Sequence, residues 1–275
     1  MNELRTDLVS LILSLAMKFS MATVLLVFLL LIGFIFYNGL AYISWDLFAW
    51  EYNSENVSMM PAIINTLHMI VIALSISLPL GLFGAIFLSE YGNKRSKILA
   101  VVRIGSDALV GIPSIVYGLF GYLAFVIYFG FKTSIIAGAL TLAIMILPLI
   151  LRSSEEALRA IPMSFREASF ALGAGKLRTI FAIVVPAAIP GILAGVILSI
   201  GRIVGESAAL LYTSGSVAKV ASAMDSGRTL SVHMYAISSE GLHVNEAYST
   251  AMVLIIIVFF INLLSNFIAK KLTKA

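Results

Sequence analysis

Long apolar runs separated by shorter polar connections dominate the chain, and their lengths set the first expectation. A bilayer hydrocarbon core about 30 Å thick needs about 20 apolar residues as helix. Six stretches are long enough: residues 19–40, 62–89, 104–128, 134–151, 187–212 and 250–269. The pattern predicts an all-α polytopic membrane protein with six transmembrane helices. Lys18 ahead of the run from Phe19 to Phe36 looks like the start of a secretory signal. That run is longer than a signal core and lacks a small-residue cleavage site, so it is read as a span.

The polar island from Arg152 to Pro186 is the feature around which the rest is organised. Ser164 stands three residues before Glu167, the capping-box spacing, which places a helix start near Phe165. Gly173 or Gly175 should end that helix, because glycine accepts the left-handed conformation without a Cβ penalty. Leu177, Ile180, Phe181 and Val184 then fall at i, i+3, i+4 and i+7, one apolar stripe of a second helix. Pro186 and Pro190 open the next apolar run. The expectation is a helix, a glycine turn and a second helix held outside the lipid.

Composition agrees with the membrane reading. Hydrophobic residues make up 60% and charged residues 12% of the 275, against roughly a quarter charged in soluble domains. With no cysteine, disulfide, thiolate and Cys-based metal chemistry are excluded. The net charge of +4 is distributed by topology and points to no nucleic-acid partner. Arg5 and Lys18, then Lys94, Arg95, Lys97 and Arg103, then Arg152, Arg159, Arg166, Lys176 and Arg178, and finally Lys270, Lys271 and Lys274 fall on alternate connections. The opposite connections hold Lys132, Lys219 and Arg228. By the positive-inside rule both termini and the polar island are expected in the cytoplasm.

The outer connections carry Trp45, Asp46, Glu51 and Glu55, and then Asp225, His233, Glu240, His243 and Glu246. The stretch Thr213–Tyr248 is long and polar; it reads equally as a docking surface for an external solute-binding protein and as a solvated connection. His233 and His243 lack metal-ligand spacing, so no metal site is expected. Pro79, Gly81 and Gly84 in the second span, and Gly105, Gly111, Pro113, Gly118 and Gly121 in the third, mark kinks or close helix approaches.

The fifth span spaces Gly191, Gly195 and Ser199 four apart and then carries Arg202 and Glu206. If the helix is continuous, the two charges share a face. A charge near the bilayer centre costs about 2.5–3.5 kcal/mol on insertion scales and faces a bundle interior or a water path. Two readings stand: a structural ion pair, or an anion path in which Arg202 offers its guanidinium fork to an oxyanion while Glu206 holds it.

Glu167-Ala168-Ser169, Gly173, Ile183 and Pro186 reproduce the spacing of the EAA loop, and the chain resembles ABC-importer permease subunits there. Ser169 and Val185 depart from the family's Ala and Leu. Gly201-Arg202-Ile203-Val204-Gly205-Glu206-Ser207-Ala208-Ala209-Leu210-Leu211-Tyr212-Thr213 is similar to a signature of PstA-type phosphate permeases, with Ser207, Ala209 and Tyr212 in place of Thr, Pro and Phe. Loss of that proline is expected to let the helix run straighter. The string Gly111–Gly121 also resembles phosphate permeases. The resemblance implies the six-span type I importer permease (MetI-like) fold, with residues 1–61 as an N-terminal segment and 62–275 as the permease domain. It implies a coupling loop at 152–186 acting through Glu167, Ala168 and Gly173, and a substrate path through Arg202, Glu206 and Arg152. The implied partners are inorganic phosphate, a related second permease, two ATPase subunits and an external phosphate-binding protein. No phosphate-loop motif occurs in the chain, so ATP and Mg would be bound by the ATPase partner and no catalytic residue is expected here. Permeases for sulfate or molybdate, and a proton-coupled carrier using Glu206, remain alternatives at this point.

Overall fold

In the computed structural model, which describes residues 2–92 and 96–273, helices follow one another without a strand among the described residues. Side chains are described for 10–92, 96–267 and Lys271; Lys94, Arg95 and Lys274 of the charge reading lie outside the described residues. Helix α1 (Asn2–Ala41) is followed by α2 (Met60–Ile86), which continues as a π-helical turn over Phe87–Tyr91. Next come α3 (Lys97–Val110), α4 (Ser114–Gly121) with a π-helical extension to Tyr128, and α5 (Ile135–Ala160). Two short elements, α6 (Met163–Ala171) and α7 (Lys176–Thr179), precede a π-helical turn at Ile180–Val184 and α8 (Val185–Gly205). The chain then forms α9 (Ala208–Thr213), α10 (Leu230–Glu240) and α11 (Val244–Thr273). Among the described residues five helices are long and apolar enough to cross a membrane, and α3 with α4 and its extension, bent by 103°, passes the same test as a pair, which makes six if the pair is one span.

α2 and α5 form the centre of the bundle. Met69, Ala73, Leu142, Met145, Ile146 and Ile150 are all but inaccessible and meet Ile203, Val204 and Leu210. Lipid tails are as apolar as leucine, so close van der Waals contact and not water exclusion holds such helices together. Glycines permit it: a Cβ on Gly81 would lie 2.7 Å from Ile150, and one on Gly191 2.5 Å from Ala157. At the other end of the sequence, α1 rests on α11, where Phe34 meets Tyr248 edge to face and the Ser249 hydroxyl donates to Gly39 O.

Four expectations are corrected. The third span is two helices set at a sharp angle, because Gly111 and Pro113 interrupt the ladder; the Tyr117 hydroxyl donates to Leu109 O (2.8 Å) across the corner. Arg152–Ala160 belongs to α5 and not to a loop, since Arg152–Glu156 and Glu155–Arg159 pairs at i, i+4 support two more turns. The hairpin's second arm is no separate helix, because α7, the π turn and α8 run on as one rod from Lys176 to Gly205. Finally, the capping box is not made: Pro162 occupies the N-cap and Ser164 lies inside α6.

Candidate functional site

Two regions gather the residues that the sequence points to. The first is the hairpin of α6 and α7. Leu172 ends α6, and Gly173 takes φ +82°. Ala174 N–H donates to Ser169 O (3.1 Å) and Gly173 N–H to Phe170 O (2.9 Å), the paired bonds of a Schellman motif. Across the turn, the Ser169 and Thr179 hydroxyls are 2.8 Å apart and buried. Ser169, the departure from the family's alanine, thereby ties the two arms together. Glu167, Ala168 and Gly173 are exposed, as are Met163, Phe165, Phe170, Leu172, Leu177 and Phe181. Of the expected stripe, only Ile180 and Val184 are buried; the π turn breaks the 3.6-residue period and leaves Leu177 and Phe181 outside. The result is a compact tip with apolar side chains outward.

The second region is the end of α8. The helix stops at Gly205, and Glu206 is extended (φ −77°, ψ 125°). The break therefore occurs without the proline. Two bonds hold it: Glu206 Oε1 accepts from Ala209 N–H (3.1 Å), and Glu206 O accepts from the Ser231 hydroxyl (2.5 Å). The expected Arg202–Glu206 pair is absent among the described residues, because the i, i+4 geometry is lost where the helix ends and the carboxylate is engaged in capping α9. Arg202 instead lies half-buried on a lateral cavity of about 430 Å³ with Leu149, Ile197, Leu198, Gly201 and Asn262.

The two strings resembling phosphate permeases meet in space. A Cβ on Gly118 would stand 2.7 Å from Ala209 Cα, so α4 lies backbone to backbone on α9, while one on Gly121 would collide with the Thr141 side chain of α5. Arg152 sits one turn along α5 from Leu149, bonded to Asp107 (2.7 Å) and Glu156 (3.0 Å), all three about half-exposed. Sequence reasoning missed its surroundings. Arg103 (2.9 Å) and Arg159 (2.8 Å) both pair with Glu155, whose side chain is 10% exposed. These groups and Ser106 line a cavity of about 160 Å³ between α3 and α5. The signal available was the alternation of Arg and Glu at i, i+4 along 152–159.

The 213–248 connection is built against α2. Asn65 Nδ2 donates to Lys219 O (2.8 Å) and Arg228 O (3.1 Å), and its Oδ1 accepts from Ala221 N–H (3.0 Å). His233 is wholly buried, edge to face with Tyr52, whose ring also carries the Arg228 guanidinium at 4.5 Å. Burial, assisted by the Arg228 charge, pushes His233 down to about 3.

Residues 77–275 match the family model described as binding-protein-dependent transport system inner membrane component. A probable ABC transporter permease protein, YqgI, of Bacillus subtilis is 33% identical over 267 residues, covering 88% of this chain and 90% of that protein. Phosphate transport system permease protein PstA 1 of Mycobacterium tuberculosis is 43% identical over 154 residues, 56% of this chain and 50% of that protein. PstA of Xylella fastidiosa is 42% identical over 146 residues, 53% and 50% of the two chains. The match thus spans about half the length of these PstA relatives. Among solved structures, a bacterial ABC transporter for alginate import superposes with TM-score 0.66 at 15% identity, over 94% of this chain and 96% of that one. The MetNI methionine ABC transporter does so with TM-score 0.61 at 20% identity, over 78% and 94%. These two share the fold.

Proposed function

From a chain that belongs to the binding-protein-dependent transport system inner membrane components, we propose a transmembrane permease subunit of an ATP-driven inorganic phosphate importer. The observation that carries the cargo is the identity of about 40% with PstA permeases, supported by the packing of the Gly111–Gly121 string on α9. In this reading the termini and the hairpin face the cytoplasm. The exposed Glu167, Ala168 and Gly173, with Leu172 and its apolar neighbours, meet an ATPase subunit of the PstB type, two copies of which bind ATP and Mg. The opposite face receives phosphate from an external binding protein of the PstS type. A second permease of the PstC type covers the lateral cavity at Arg202 and completes the path.

The geometry supports a stepwise route for an anion. Arg202 carries a guanidinium free of any carboxylate among the described residues, at the edge of a cavity that the partner would close. Its planar fork suits a tetrahedral oxyanion. Leu149 and Arg152 lie three apart on α5, so the same face leads from Arg202 to Arg152. There the cation is already shared between two half-exposed carboxylates. Such exposed pairs are weak, being screened by water and opposed by side-chain entropy, so Arg152 can exchange a carboxylate for a passing phosphate and release it again.

The test is uptake of radiolabelled phosphate into vesicles containing the whole complex, with wild-type chain and Arg202→Gln, in the presence of sulfate and molybdate. The expected result is uptake that requires ATP, ignores both competitors and is lost in the variant while assembly persists. Uptake driven by a proton gradient without ATP would overturn the reading.

A further inference from the structure

Arg166, inside α6, makes five hydrogen bonds, the full number a guanidinium can donate. Nε donates to Glu90 Oε2 (3.2 Å) and Nη2 to Glu90 Oε1 (2.5 Å), a bidentate pair. Nη2 also reaches Leu158 O (3.0 Å), and Nη1 reaches Ile161 O (2.8 Å) and Pro162 O (3.5 Å). Leu158 and Ile161 stand at the end of α5, where carbonyls lack helical partners and a cation is favoured. Glu90 belongs to the π-helical turn that ends α2. Both side chains are about nine-tenths buried. The next residue of that turn, Tyr91, holds the other arm of the hairpin, with Lys176 Nζ 4.1 Å above its ring. Consecutive residues of the π turn that continues α2 thus grip both arms, and Arg166 ties α6 to that turn and to α5 at once.

We propose that Arg166 is a positioning residue for coupling: its bond to Glu90 fastens the hairpin to α2, so that displacement of the hairpin is carried into the α2–α5 centre of the bundle. This rests on the reading of the hairpin as the ATPase contact. The fastening is internal to the chain. Glu167 and Gly173 supply the contact, whereas Arg166 turns a push on a surface hairpin into motion of two spans.

The chain has no cysteine, so cysteines placed at the exposed Ser164 of α6 and at Phe87 of the π turn after α2 are its only labelling sites, and the chain is spin-labelled before assembly with its partners. In the complete complex in vesicles, two quantities are measured for wild type, Arg166→Gln, Arg166→Lys and Glu90→Gln: the width of the 164–87 distance distribution, and ATP hydrolysed per phosphate imported. Removing one partner of a buried pair is strongly disruptive, so in Arg166→Gln and Glu90→Gln the distribution should broaden about twofold and the ATP cost rise about tenfold or more. Arg166→Lys, which keeps charge but not the fork, should fall between. Glu90→Gln leaves the carbonyl bonds of Arg166 in place and so separates fastening from capping. A narrow distribution in both neutral variants would overturn the proposal, as would broadening with the ATP cost unchanged. If the wild-type complex imports no phosphate on ATP, the transport reading fails, while the label distances still decide whether the fastening exists.

Discussion

Gly118→Ala tests a close approach between two helix backbones, α4 and α9. The added Cβ would stand 2.7 Å from Ala209 Cα and 3.2 Å from Ala209 O, whereas carbon atoms rest about 3.5–4.0 Å apart. Backbone cannot rotate away, so α9 must move from α4 by about 1 Å. Overpacking of this kind costs about 1–3 kcal/mol; with an unyielding obstacle the upper end applies. Alanine's helix propensity returns about 1 kcal/mol, leaving a net loss of about 2 kcal/mol. Gly105→Ala is the matched control, because nothing lies within 4 Å of its added Cβ. There only the propensity gain of up to about 1 kcal/mol remains. The assay is denaturation of the two variants in the same detergent, together with phosphate uptake in the assembled complex. Gly118→Ala should be less stable and, because α9 carries the Glu206 cap, poorer in uptake; Gly105→Ala should be equal to or more stable than wild type. Equal stability of both variants would refute the α4–α9 packing.

Glu206→Gln keeps an oxygen for Ala209 N–H and should leave folding within about 0.5 kcal/mol of wild type, whereas Glu206→Ala should cost about 1 kcal/mol, as loss of a cap does; thermal denaturation of the two separates capping from charge. His233 is neutral in the fold down to about pH 3, but in the unfolded chain it binds a proton near pH 6.5, so stability falls as pH drops below that value. At pH 5 the loss should be about 2 kcal/mol, visible as a denaturation slope that His233→Gln flattens. Asn65→Ala strands two carbonyls and one N–H of the 219–228 segment and should cost about 2–3 kcal/mol, read as faster proteolytic cleavage in that segment.

The spans were legible because apolar length alone encodes them, and the glycine stop of α6 because only one residue type takes that conformation freely. The corner in α3–α4 was half legible: Gly111 and Pro113 mark an interruption, but the angle comes from how α4 lies on α9. Glu206 misled for a physical reason. Four-residue spacing implies a pair only along an unbroken helix, and nothing local announces that the carboxylate will turn to Ala209 N–H instead. Arg152–Ala160 read as loop because its residues are charged, although a helix can leave the hydrocarbon and continue in water on i, i+4 pairs. The Arg166–Glu90 bond spans 76 residues, and no period or spacing carries that information.

The partnership of α1 and α11 bears on how the protein is made. The bond from Ser249 to Gly39 joins residues 210 positions apart, and Phe34 waits equally long for Tyr248. At about 5–20 residues per second, synthesis of that interval takes roughly 10–40 s. During this time α1 stands in the lipid before its partner has left the ribosome. It must therefore be inserted and oriented on its own hydrophobicity and flanking charge, as an anchor to which the rest of the nascent chain is tethered. When α11 follows, it docks on a helix already in place. A chain stalled before α11 would leave α1 without the seat that Ser249 and Tyr248 provide.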